Sequence, residues 1–164
     1  MSLNEDMLNL RNSIIEERDD SHAVFTNICR EYGSQIVEPF LTMLEFRSDQ
    51  SDYYYSVIHA IEHYYRELGM GVIVNNAEQM LRSSRLLGVM LIGRICNPES
   101  HEYYNALLGS AIASPDGQRN ALANLFEIVS NEYSHNPELV ANALRALKLL
   151  TSGTNRMEGE KGTA

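Results

Sequence analysis

The residues whose spacing could do chemistry are His59, Glu62 and His63, in the run HAIEH. Two histidines four apart share one helix face and can hold a zinc ion, while the glutamate between them can polarise a bound water. This is the H-x-x-E-H spacing of one class of zinc hydrolase. That chemistry needs a third protein ligand, and no downstream glutamate stands in a context that singles it out. Hydrolases of that class are also built on larger mixed α/β scaffolds, and no stretch here alternates as a strand does. HAIEH therefore reads as an exposed helical face, solvated or turned toward a partner, with a zinc hydrolase as the minor alternative.

Around this run lie Tyr53, Tyr54, Tyr55, Tyr64 and Tyr65. Three consecutive residues span most of a helical turn, so these tyrosines cannot all be core. Exposed tyrosine beside carboxylates suits a protein-binding surface, because the ring offers large contact area at low entropic cost. For any single tyrosine the alternative is partial burial with the hydroxyl at the surface. The partner-binding face is assigned to Asp49, Asp52, Tyr53, Glu62, His63 and Glu67, with Tyr53 and Glu62 as its anchors. No catalytic residue, metal ligand or cofactor is assigned. The chain has no Gly-rich phosphate loop, nucleophile elbow, C-x-x-C pair or basic-aromatic stripe, and the pairs Glu16-Glu17 and Asp19-Asp20 read as solvated.

The element that must carry these residues is a helix from Asp52 to Leu68, with Tyr54, Val57, Ile58, Ile61, Tyr65 and Leu68 on its apolar face. After Gly69 and Gly71 another helix runs through Ile73, Ala77, Met80 and Leu81 toward LRSSRLLGVMLIGRICNPES, residues 81–100. Between Arg85 and Arg94 that segment is apolar on every side, so it must be buried on every side. It is too short to span a membrane, which takes about 20 apolar residues. Gly88 and Gly93 within it point to close contacts with neighbouring helices.

Upstream, Leu3, Met7, Leu10 and Ile14 form a narrow stripe that Arg18-Asp19-Asp20-Ser21 interrupts. Val24, Phe25, Ile28, Cys29 and Tyr32 follow as a second helix closed by Gly33, and Val37, Phe40, Leu41 and Leu44 as a third. Pro39 means that this third helix either starts late or is kinked. Downstream, Asn97-Pro98-Glu99, Ser114-Pro115-Asp116 and Asn136-Pro137-Glu138 each place a capping residue before proline and an acid. The helices between them turn Tyr104, Leu107, Leu108 and Ala111, then Leu122, Leu125, Phe126 and Val129, then Val140, Ala143, Leu144, Leu147 and Leu150 inward. The proline steps of 17 and 22 residues add to 39, near the period of about 40–47 of HEAT and armadillo helical pairs. The expected fold is all-α, an antiparallel HEAT/armadillo-like stack of about eight or nine helices. Residues 1–152 form a single domain, with 1–46 as an N-terminal helical cap and 52–152 as the main stack, and 153–164 a disordered tail.

Net charge is −9 over 164 residues, and residues 1–52 carry eleven acids against four arginines, or −7. Such acidity disfavours nucleic acid and anionic membranes and favours a basic partner. Cys29 and Cys96 sit in apolar helical patterns, as buried free thiols of a reducing cytosol or as one disulfide. The opening MSLNEDMLNLRNS lacks the basic region and apolar core of a signal peptide.

From the tyrosine helix onward the pieces combine: the I-E pair Ile61-Glu62, a buried helix ending R-I-C-N-P-E-S-H (Arg94 to His101), a Y-x-x-L-L helix (Tyr104 to Leu108) and a final amphipathic pair. Over roughly residues 55–150 this resembles the all-helical immunity proteins encoded beside bacterial polymorphic and contact-dependent growth-inhibition toxins. Cys96 stands where the group with an R-I-L-N-like tetrapeptide tends to have leucine. The resemblance implies a small cytoplasmic protein that binds a cognate toxin domain, for instance a basic nuclease, and blocks it without catalysing anything. A HEAT-like adaptor or a homodimer is the alternative.

Overall fold

The computed structural model describes residues 2–44 and 51–152, apart from the side chains of residues 51, 52, 54 and 66. Among the described residues every regular element is helical. Helix α1 (Leu3–Ile15) starts at a reciprocal cap: Ser2 N donates to Glu5 Oε2 at 2.7 Å and Glu5 N to Ser2 Oγ at 3.4 Å. Met7, Leu10 and Ile14 face inward from it. Helix α2 (Ser21–Tyr32) is tied to α1 by Tyr32 Oη, which donates to Asp6 Oδ2 at 2.6 Å. Gly33, at φ 54°, reverses the chain into a 3-10 turn, Gly33–Ile36, and α3 (Val37–Met43) begins only after it. Pro39 therefore falls in the first turn of α3, where its missing N–H costs nothing.

Helix α4 (Ser51–Leu68) follows, and Gly69 ends it at φ 77°. The apolar segment expected as one helix after Gly71 is broken in two, α5 (Gly71–Asn75) and α6 (Ala77–Ser83). Asn76 makes the break, its Nδ2 donating to Val72 O at 2.8 Å. Helix α7 (Arg85–Ile95) is the central one: Leu87, Gly88, Val89, Leu91, Ile92, Gly93 and Ile95 are all buried. It packs against α4, α6, α8 (His101–Ile112) and α9 (Asp116–Glu132). Its two glycines lie directly against neighbouring side chains. A Cβ at Gly88 would stand 3.3 Å from Leu125 Cδ2, and one at Gly93 would stand 3.0 Å from the Tyr133 ring.

Helix α10 (Pro137–Ser152) lies against α9. Asn142 on α10 donates to Cys96 O at 2.9 Å, satisfying a carbonyl at the end of α7, and Tyr104 Oη donates to Asn142 O at 2.8 Å. Asn97 and Asn136 accept from Glu99 N and Leu139 N as the Asn-Pro-Glu pattern requires. Ser114 does not cap: its Oγ turns back to donate to Ser110 O at 2.7 Å. The inward face of α10 also differs from expectation. Leu139, Ala143, Ala146 and Leu150 are buried, whereas Leu144 is 49% exposed. On α4 likewise, Leu68 is 44% exposed at the helix end. One cluster of buried apolar side chains runs from Met7 to Leu150. Among the described residues no helix is long and apolar enough to cross a membrane.

Candidate functional site

Val57, Ile58, Ile61 and Tyr65 hold one face of α4 against the core, and the opposite face forms an outward ridge carrying His59, His63 and Glu67. Tyr53 and Glu62 lie at the two edges of that ridge. They are nine residues apart, which puts them roughly 13 Å apart along the axis and about half a turn out of phase. Each edge meets a different neighbour. Tyr53 stacks on His22 of α2, with centroids 5.1 Å apart and planes at 26°. Glu62 faces Arg94, in the last turn of α7.

The Glu62–Arg94 pair is bidentate: Nε donates to Oε1 at 2.5 Å and Nη2 to Oε2 at 2.9 Å. His59 Nδ1 stands 3.3 Å from the same Oε2. The pair is part-exposed, with 21% of the Glu62 side chain and 41% of the Arg94 side chain open to solvent. The hydrogen bonds that Arg94 donates to Glu62 raise its pKa beyond the ordinary value, against a smaller lowering by desolvation, and the negative charge of Glu62 adds to the rise. Tyr133 packs against Gly93 next door, and burial raises its phenol, with Arg94 opposing.

In front of this pair is an open groove of about 460 Å³. His59, Glu62 and His63 form its α4 wall and Arg94 its α7 wall. Glu99 and Ser100, in the 3-10 turn Pro98–Ser100, and Tyr103 of α8 close the far side. Tyr65 lies beneath, its ring centroid 4.8 Å from that of Tyr103.

Of the six residues assigned from sequence, the groove brings together Glu62 and His63. Tyr53 lies on the α2 side of the ridge, and exposed Glu67 is one helical turn beyond His63. Asp52 belongs to α4 but its side chain is outside the described residues, and Asp49 falls outside them altogether. The sequence reading missed Arg94, Glu99, Ser100 and Tyr103 as site residues. For Arg94 a signal existed, since a charge closing an otherwise apolar helix must find a partner or water. HAIEH forms a helical ridge, but its glutamate is committed to Arg94. Among the described residues no group of three or more His, Cys, Asp or Glu side chains could hold a metal ion.

No curated protein and no solved structure gives a match to the chain. The family model for Immunity protein 30 matches residues 11–104, taking in α2 and α3, which no sequence motif had matched, and ending before α9. Every groove residue lies inside that span. The all-helical fold, the Glu62–Arg94 link between the I-E and R-I-C-N segments, and this match together place the chain: it belongs to the Immunity protein 30 family, the immunity proteins of toxin systems.

Proposed function

We propose that this immunity protein neutralises its cognate toxin domain in the cytoplasm by binding and covering it, without catalysis of its own. The binding face is the outward ridge of α4 with its flanks, comprising Tyr53, Glu62, His63 and Glu67, together with the acids Asp49 and Asp52 that precede Tyr53 in the sequence. The observation that carries this reading is the groove beside the ridge, which is polar, open and formed wholly by residues within the family match. Net charge of −9 suits a basic toxin domain, and a nuclease is the class whose polyanionic substrate an acidic inhibitor imitates.

Co-expression with the toxin domain encoded by the neighbouring gene tests the proposal. Wild type is expected to restore growth. Tyr53→Ala combined with Glu62→Gln is expected to weaken binding by tenfold or more while leaving the helical circular dichroism unchanged. Gln is chosen because a lysine at 62 would face Arg94 and confound binding with folding. A double variant that binds and protects like wild type places the face elsewhere. A wild-type protein that binds no such domain refutes toxin neutralisation and leaves the adaptor reading.

A further inference from the structure

The geometry points to Arg94 as the central contact of this face, with Glu62 as its positioning residue and Glu99 as a separate seat for a cation. The occupant inferred is a loop of the toxin domain that offers a main-chain carbonyl to Arg94 and a lysine or arginine side chain to Glu99. This rests on the toxin-binding reading and specifies the chemistry of the same site.

Arg94 spends two of its nitrogens on Glu62, and Nη1 makes no hydrogen bond among the described residues. The fork geometry fixes the guanidinium plane before any partner arrives, so little rotamer entropy remains to be lost on docking. Arginine and tyrosine are the residue types that most often carry interface energy, and Arg94 has the Tyr55, Tyr65 and Tyr133 hydroxyls in its electrostatic surroundings. Charge decides what Nη1 can take. Glu62 already neutralises Arg94, so a second carboxylate would leave excess negative charge in a partly desolvated groove, whereas a carbonyl oxygen satisfies the donors at no charge cost. Glu99 is different. It is exposed and makes no ion pair among the described residues, with its backbone N–H donating to Asn97 Oδ1 at 3.5 Å. With Glu62 paired, it supplies the remaining formal charge of the groove lining, taking histidines as neutral. Tyr103 lines the same wall as Glu99.

The two contacts separate kinetically, because a fixed central contact governs dissociation and a rim charge governs association. The test uses the full chain and the catalytically inactivated toxin domain of the neighbouring gene, with association and dissociation rates followed at two salt concentrations. Arg94→Ala is expected to speed dissociation by tenfold or more at either salt. Arg94→Lys is expected to recover little of this, since lysine keeps the charge and loses the fork. Glu99→Gln is expected to slow association severalfold at low salt only, with dissociation within twofold of wild type. Thermal unfolding of each variant checks the fold. If Arg94→Ala is unfolded, Glu62→Gln, which keeps Arg94 and loosens it, is expected to speed dissociation threefold or more. A folded Arg94→Ala that dissociates like wild type overturns the proposal, as does full recovery by lysine, an unchanged Glu62→Gln, or a Glu99→Gln that leaves association unaltered. Wild type failing to bind overturns the toxin-binding reading and this proposal together, and that result comes before any variant is made.

Discussion

Cys96 is completely buried at the end of α7, and burial pushes its thiol from the ordinary 9.0 up to about 12. Cys29 is part-buried on α2 and is pushed by desolvation to about 11. Both are free thiols, which decides between the two alternatives that their apolar settings left open. A raised thiol pKa favours the protonated form in the folded state. The associated stability is fully present below the ordinary thiol value and is lost as pH rises from about 9 toward 11–12. At pH 8 an aromatic disulfide reagent is therefore expected to label Cys29 slowly and Cys96 only on unfolding; two thiols labelled at once in the native protein would contradict this burial. Single residues were unevenly legible. Glu62 and Arg94 each stood in a motif read from the sequence, but their contact spans 32 residues and depends on how α4 crosses α7, which no local pattern encodes. Tyr53 was legible as an aromatic beside acids, and its stacking on His22 was not, because α2 and α4 meet only in the folded chain.

Among the elements, α7 was the most legible, because eight uncharged residues between two arginines admit only a buried helix. Its glycines marked close approach, and the neighbours are now specific. At Gly93 an added methyl would lie 3.0–3.2 Å from three atoms of the Tyr133 ring, a rigid group that must shift as a whole. Gly93→Ala is expected to cost about 1–3 kcal/mol in denaturant unfolding, the usual range for overpacking. In a Tyr133→Ala background the same substitution should become neutral or stabilising, since alanine is favoured over glycine in a helix by about 1 kcal/mol. A Gly93→Ala penalty that persists without the Tyr133 ring would show that strain arises elsewhere. Elements were misread where a short polar side chain chose between two backbone partners. Asn76 took Val72 O and broke a helix, and Ser114 took Ser110 O instead of capping α9. Both choices are local hydrogen bonds of similar worth, so spacing alone could not rank them. Leu144 and Leu68 were misassigned for another reason: periodicity gives the direction of a face but not where the neighbouring helix ends.

At the scale of the whole molecule, the asymmetry of charge is the feature that sequence shows most directly and whose effect is most easily measured. Residues 1–52 carry −7 of the total −9, and −4 of it lies in α1 and the turn that joins it to α2, while the groove beside α4 keeps the Glu62–Arg94 ion pair internal. A field of that kind steers a basic partner and fades once the screening length drops below about 8 Å at physiological salt. Glu16 and Asp19, both exposed, separate steering from contact because neither lines the groove. Glu16 also follows α1 directly, at its negative end, where lysine is more favourable than glutamate by about 0.3–1 kcal/mol. Glu16→Lys with Asp19→Lys is thus expected to leave stability unchanged or slightly raised. Association with the toxin domain should slow severalfold at 20 mM salt, converge on the wild-type rate at 500 mM, and leave dissociation untouched. Stopped-flow mixing across that salt series measures all three quantities. Faster dissociation at high salt would place α1–α2 inside the interface and shift the binding face from the groove toward the N-terminal helices.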